Sequence, residues 1–284
     1  MKTYNDIYLS TRNMLRQNGV EAYSLEARIL VSSAVGKTVQ QLLRDINLYT
    51  TAEVENKVMD YTARRLRGEP VAYITGSWEF YGLPMTITPD VLIPRMDTEV
   101  LVDAVKDILT GYKMDARILD LCCGSGCITC AIAHELPATK LVAVDLSASA
   151  LEVCRKNVTN HKFNSRVLCM QADATASPPL GLGSFDLIVS NPPYIASAEI
   201  KELDRSVRDY EPVWALDGGE DGLRFYKAII KYWKSLLRPG GFLLFEVGEN
   251  QAGDVADMLM SAGFSRSATR RDTQGIERVV IGRM

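Results

Sequence analysis

The stretch "ARILDLCCGSGCITCAIA" (residues 116–133) runs from a short apolar segment, through a loop with two glycines, into a second apolar segment. "ILDL" has the length and composition of a buried strand, and "CITCAIA" has the pattern that opens a helix. In a doubly wound sheet, a strand, a glycine-bearing loop and a helix in that order present a ligand site at the carboxyl end of the first strand. Gly124 and Gly126 lack a Cβ, so the backbone can turn tightly and approach a ligand, while the next helix N-terminus offers unpaired N–H groups to an anion. The dinucleotide fingerprint asks for a third glycine three residues after Gly126. Thr129 stands there, which removes the strongest support for nicotinamide or flavin.

Outward from this loop the chain keeps alternating. "TEVLVDAVKDILTG" reads as a helix before it, and "KLVAVDL" (strand), "ASALEVCRKNVTNH" (helix), "SRVLCMQAD" (strand) and "FDLIVS" (strand) follow. A long helix over "DGLRFYKAIIKYWKSLL", a strand "GFLLFEVG" and a last helix over residues 251–262 come next. Such alternation predicts an α/β fold with a mostly parallel, doubly wound sheet and helices on both faces. The final runs "SRSATRRD" and "ERVVIGR" have no helix between them and are expected to close the seven-stranded sheet as an antiparallel hairpin.

Upstream the pattern is helical: "YNDIYLSTRNMLRQNG" stops at Gly19, "SLEARILVSSAVG" opens with Ser24 as its cap and stops at Gly36, and a third helix opens near Thr51 and closes at Gly68. Three domains are expected: a small helical bundle over residues 1–75, a hairpin-like connector over 76–95, punctuated by Gly76, Gly82, Pro84, Pro89 and Pro94, and a catalytic domain over 96–284.

Length and composition are those of an ordinary globular protein, with 47% apolar and 24% charged residues, so large-scale disorder is not expected. No apolar run approaches a membrane span and the N-terminus has no signal-like apolar core, so a soluble, cytoplasmic protein is expected, with no membrane partner. The net charge of −3 gives no global basic field, and direct nucleic-acid binding is not expected. Four of the six cysteines crowd into "CCGSGCITC" (Cys122, Cys123, Cys127, Cys130). One CxxC without a second pair or a partner histidine motif is a poor metal site, so no metal is expected and the thiols are read as small buried side chains.

Two acids extend the cofactor reading. Asp145 ends "KLVAVD" 19 positions after Gly126, near the spacing of about 20 at which an acid meets ribose hydroxyls. Asp173 ends "VLCMQAD" and is placed to accept from an adenine amino group, while a helix N-cap after a strand is the competing role for both acids. Together with the loop they indicate an adenosyl cofactor.

At the tip of the fourth strand stands "SNPPY", residues 190–194. Neither proline has an N–H for a sheet ladder, and Pro193 holds Pro192 extended. Asn191 then offers a side-chain oxygen and Pro192 a main-chain oxygen as two acceptors on a stiff backbone. Both hydrogens of a planar NH2 group need acceptors, so the match is an exocyclic amine or a carboxamide, with Tyr194 stacked on its flat face.

With these residues in view, the chain resembles class I S-adenosylmethionine-dependent methyltransferases that carry an "NPPY" amino-methylation motif. More narrowly, "GEPVAYITGSWEFYGLPMTITPDVLIPR", "SNPPYI", "EPVWALDGGEDGLRFYKAII" and "LRPGGFLLFEVG" are similar to the HemK/PrmC family of release factor glutamine methyltransferases. The resemblance implies a Rossmann-like methyltransferase sheet and S-adenosyl-L-methionine as cofactor. It implies methyl transfer to the amide nitrogen of the glutamine in the Gly-Gly-Gln loop of peptide chain release factors, with the first domain and connector helping to hold that partner. Carried over, Asn191, Pro192, Pro193 and Tyr194 hold the glutamine amide, with Asn191, Pro192 and Tyr194 catalytic. Cys122, Cys123, Gly124, Ser125 and Gly126 line the methionine portion, Asp145 meets the ribose, and Asp173 and Asn191 complete the cofactor contacts. The family more often has glycine at Cys122, threonine at Cys123, a "PETE"-like segment at "MDTE" (residues 96–99) and a bulky residue at Ala174. A sister family that methylates a ribosomal-protein glutamine shares the motif, as do DNA adenine methyltransferases. A nucleoside-binding module without activity is a third class, whose mark would be a broken clamp. A monomer is expected, and loss of the amide proton to water, since neither His134 nor His161 lies near the motifs.

Overall fold

The computed structural model describes residues 2–284. In chain order it contains helices α1 (Tyr4–Gln17), α2 (Tyr23–Val35), α3 (Val39–Arg44), α4 (Ala52–Leu66) and α5 (Val71–Thr75), then strands β1 (Ser77–Phe80) and β2 (Leu83–Thr86). Helix α6 (Glu99–Thr110), β3 (Arg117–Leu121), α7 (Cys127–Glu135), β4 (Lys140–Asp145), α8 (Ala148–Asn160), β5 (Val167–Gln171) and β6 (Phe185–Ser190) follow. The chain continues through α9 (Arg205–Arg208), α10 (Arg224–Tyr232), β7 (Leu237–Glu246), α11 (Ala252–Ser261), β8 (Arg266–Arg271) and β9 (Glu277–Arg283).

Two units divide this path. One runs to Ser77 and takes in Asp204–Tyr210; the other comprises Trp78–Leu203 and Glu211–Met284. The first unit is built of helices, with an antiparallel bridge between Thr3 and Tyr49 and the start of β1. Thr3 and Thr38 cap α1 and α3 with reciprocal side-chain bonds, and Thr51 caps α4. Ile7, Val31, Leu42 and Val58 meet in its core. Helix α2 differs from the sequence expectation: it starts at Tyr23 behind Ala22, which makes no side-chain cap, and Ser24 Oγ instead pairs with Tyr8 Oη at 3.0 Å. A tertiary partner has taken the hydroxyl away from the local one.

The second unit holds a seven-stranded sheet in the order β5-β4-β3-β6-β7-β9-β8, parallel as far as β7 and antiparallel at β9 and β8. The closing hairpin thus lies as expected, with β9 inserted beside β7. Strands β3 and β6 are buried almost throughout, which is why they read as continuous apolar runs. The expected long helix is shorter: α10 stops at Tyr232, a 3-10 turn covers Lys234–Leu236, and β7 already begins at Leu237. Asp173 likewise lies two residues beyond β5, which ends at Gln171, and not at the strand end.

Strand order reverses between β3 and β6, because the chain first adds strands on one side of β3 and then returns to the other. The register makes the carboxyl ends level: Leu121 pairs with Val144 and with Ser190, Asp145 with Gln171, and Ser190 with Phe245. Ser190 Oγ donates to the Leu121 carbonyl at 2.7 Å and ties the two central strands at the reversal point. Open α/β sheets bind ligands at such a place.

Candidate active site

Above these strand ends lies a cleft of about 510 Å³, within the range of roughly 300–1,000 Å³ usual for small-molecule sites. Of the residues singled out from sequence, Cys122, Cys123, Gly124, Ser125, Asp145, Asp173, Asn191 and Pro193 line it, so one cavity gathers the glycine loop, both acids and the strand-tip asparagine. Gly126, Pro192 and Tyr194 are not among the lining residues.

Gly126 does its work underneath. At φ +76° it precedes α7, and a Cβ there would come within 2.5 Å of Cys154 Sγ. Cys122 takes a positive φ of 61° at the position where the resembling family more often has glycine. Asp145 closes the loop from the side: Oδ2 accepts from Gly124 N at 2.8 Å and Oδ1 from Ser147 N at 2.9 Å. Ser147, not Asp145, caps α8. Burial raises the Asp145 pKa despite these backbone donors. Each of its oxygens keeps a further lone-pair direction for a ligand hydroxyl. Asp173 Oδ1 accepts from both N and Oγ1 of Thr175 at 2.7 Å, a turn contact and not the helix cap weighed against the adenine role, leaving Oδ2 as the remaining acceptor.

The cysteines are buried or partly buried side chains. All six thiols are free, and among the described residues no group of three or more His, Cys, Asp and Glu side chains could hold a metal ion. Burial pushes the Cys127 thiol up to about 12, far from thiolate chemistry near neutrality. Beneath the loop, buried Asp120 accepts from Thr129 Oγ1 at 2.5 Å, and burial lifts its carboxyl to about 7.

At the strand tip, Asn191 Nδ2 donates to Thr98 Oγ1 at 3.3 Å, which leaves Oδ1 as the free acceptor of that amide. Pro192 and Pro193 are buried. The half-buried Tyr194 ring packs against the sheet core and beside Gly248, and burial raises its phenol pKa. Its carbonyl accepts from Gln251 Nε2 at 2.9 Å. From Ile195 the chain pairs with the segment after β6: Ile195 N donates to the Leu216 carbonyl at 3.0 Å and Gly218 N to the Ile195 carbonyl at 2.8 Å. A Cβ at Gly222 would collide with the Tyr194 carbonyl, so the "DGGEDG" glycines let two backbones touch.

Sequence reasoning missed several residues here. Thr98 lines the cleft from the 3-10 turn Met96–Thr98. Trp214, 59% exposed, stands on its rim. Buried Glu211 accepts from Ile93 N at 3.1 Å and pairs with Arg95, which joins the "IPR" and "EPVW" segments of this chain. Buried Glu246 ends β7 beside Asn191. The signal for Glu246 was present, a lone acid closing an apolar strand; Thr98 carried none. His134 and His161 are not among the lining residues; His161 Nε2 lies 3.0 Å from the Pro84 carbonyl.

Comparisons with known proteins follow the same division. Residues 96–205 match the methyltransferase small domain, and residues 6–76 match the PrmC N-terminal domain. A release factor glutamine methyltransferase from Geobacter sulfurreducens is 41% identical, with 96% of this chain and 94% of the relative covered. A protein of the same description from Caulobacter vibrioides is 37% identical, with 97% and 94% covered. Among solved structures, the hMettl16 catalytic domain is 18% identical with a TM-score of 0.58, covering 78% of this chain and 81% of that one, a likeness of fold alone.

Proposed function

The chain belongs to the release factor glutamine methyltransferase family, and from that premise we propose that it methylates the side-chain amide nitrogen of the glutamine in the Gly-Gly-Gln motif of peptide chain release factors, with S-adenosyl-L-methionine as methyl donor. The observation that carries this reading is Asn191: its nitrogen is engaged by Thr98, so its oxygen is the group left to receive an N–H from the cleft.

The residues present fit the cofactor. Two carboxylates, Asp145 and Asp173, stand beside a glycine loop that leads into a helix N-terminus, in a cleft large enough for a nucleoside with an amino-acid arm. Asp145 would take the ribose hydroxyls, the loop of residues 122–126 the amino-acid portion, and Asp173 Oδ2 the adenine amino group. When bound, S-adenosylmethionine supplies a methyl group on a positively charged sulfur.

The chain's own part is to hold the amide. Asn191 Oδ1 and the Pro192 carbonyl accept its two hydrogens, Pro193 forms the adjoining wall, and Tyr194 is anchored behind them. An amide nitrogen is a weak nucleophile because its lone pair is delocalised, and fixed orientation can supply up to about 7–11 kcal/mol of a barrier in the best cases. On taking the methyl group the amide nitrogen would give up one proton, which would pass to water.

The helical unit is read as a holder of the protein substrate. Leu25, Leu48, Tyr49 and Met59 are exposed on it, and apolar side chains in water are what a partner would cover. On this reading the reaction takes place in the cytoplasm, where peptide chain release factors act. Among the described residues no helix is long and apolar enough to cross a membrane. Asn191→Ala tests the clamp. It should lose at least about 100-fold in turnover, since an unmet buried donor alone costs ~1–3 kcal/mol before misorientation is counted. Calorimetric affinity for S-adenosylhomocysteine should stay within threefold, and near-normal turnover would sink the clamp.

A further inference from the structure

Strand β7 carries apolar residues into its buried end and then finishes on an acid. Glu246 is 2% exposed, and its Oε2 has no hydrogen-bond partner among the described residues. Burying a carboxylate costs several kcal/mol, and an apolar side chain of that size would serve a packed strand end better. Packing therefore does not account for it.

Register shows what the acid faces. Phe245 pairs with Ser190, so Glu246, the last residue of β7, is level with Asn191, which follows β6. Thr98 and Asn191 lie close enough to its carboxyl group to favour the charged form, against the effect of burial, and Asn191 Nδ2 donates to Thr98 Oγ1 at 3.3 Å. Arg278, on the neighbouring β9, supplies positive charge nearby and is itself tied to Asp97 and Asp272.

An ionised carboxylate has acceptors only. Beside it, the Asn191 amide can sit in one way: nitrogen toward Glu246 and Thr98, oxygen away. A flipped amide would set oxygen against oxygen and leave its NH2 facing the two hydrogens of the substrate, donor against donor. We propose that Glu246, acting with Thr98, is a positioning residue that locks the Asn191 side chain with its oxygen toward the substrate amide. This rests on the Asn191 clamp proposed above and adds the group that decides which end of the asparagine does the holding. Burial lifts the Glu246 carboxyl to about 7, so the lock is fully set only above neutral pH.

The test replaces Glu246 by Leu, of similar size and apolar. A buried charge exchanged for a packed apolar side chain is often neutral or stabilising. Glu246→Leu should therefore melt at or above the wild-type temperature and yet lose at least tenfold in kcat at pH 8. The KM for the release factor and the calorimetric affinity for S-adenosylhomocysteine should stay within threefold. Glu246→Gln, which keeps one acceptor, should fall between the two. If the Leu variant does not fold, Thr98→Val carries the test, with kcat reduced at least threefold and the same two affinities unchanged. Wild-type kcat in the folded Glu246→Leu protein, or in Thr98→Val in its place, overturns the positioning role. Asn191→Ala run alongside separates the two ideas: if it is inactive while the other variants keep full kcat, the clamp stands and the lock falls, and if it keeps its turnover both fall.

Discussion

Replacing Gly126 by alanine is the sharpest test of how the cofactor loop is built. The added Cβ would lie 2.5 Å from Cys154 Sγ, 3.3 Å from its Cβ and 3.4 Å from its Cα. Cys154 cannot easily yield, since it is fully buried on α8 and its sulfur lies 3.5 Å from Cys169 Sγ. Overpacking of this kind costs ~1–3 kcal/mol, and an alanine held at φ +76° adds ~1–2 kcal/mol. Gly126→Ala should therefore destabilise by about 2–5 kcal/mol in urea unfolding and weaken S-adenosylhomocysteine binding in calorimetry. Cys154→Ala removes the sulfur but leaves the Cβ contact and the backbone strain. In the double variant it should recover only the overpacking share, a coupling of about 1–3 kcal/mol. Strict additivity of the two substitutions would refute the contact as the cause, and a neutral Gly126→Ala would refute the loop conformation itself.

Three further outcomes are expected. Asp145→Ala should weaken S-adenosylhomocysteine binding at least tenfold in calorimetry, because it removes the proposed ribose contact and frees the Gly124 and Ser147 N–H groups; unchanged affinity would remove that assignment. Asp120, raised to about 7 by burial, prefers its proton in the folded state, so its contribution is present below the unfolded value of about 4 and is lost as pH rises toward 7. Asp120→Asn should accordingly gain stability relative to the parent between pH 5 and pH 8 in urea titrations, and a constant difference across that range would contradict the shift. Asp186 is the opposite case: burial would raise it, but Arg117 N, Arg238 and Lys113 together hold its pKa below the usual value. Its contribution is present above about pH 4 and lost as pH falls through the lower folded value, so the deficit of Asp186→Asn should narrow in acid.

What the sequence disclosed and what it withheld divide along local and non-local lines. The strands showed because burial on both faces makes them unbroken apolar runs, as in "FDLIVS", and the ligand edge followed from where glycines interrupt them. Asn191 and the loop residues were legible because each sits next to a strand end. Ser24 misled because its hydroxyl found Tyr8 across the helical unit rather than its own backbone. The length of α10 misled because the apolar pattern runs unbroken through Trp233 into Leu237, with no glycine until Gly240 to mark where helix gives way to strand. Thr98 and Glu211 acquire meaning only from partners 93, 116 or 118 residues away, which no local pattern encodes, while Glu246 was marked locally as a lone acid closing an apolar strand but has its neighbour set by the strand alongside.

Methyl transfer to a clamped glutamine amide of a release factor can be read directly, by incubation of the protein with methyl-labelled S-adenosylmethionine and a purified release factor, followed by peptide mass spectrometry. The expected result is one methyl group on the glutamine side chain of the Gly-Gly-Gln peptide, absent with Asn191→Ala. Label on a ribosomal-protein glutamine or on DNA adenine in its place, with the Gly-Gly-Gln peptide unmodified, would rule out the release factor glutamine as the substrate.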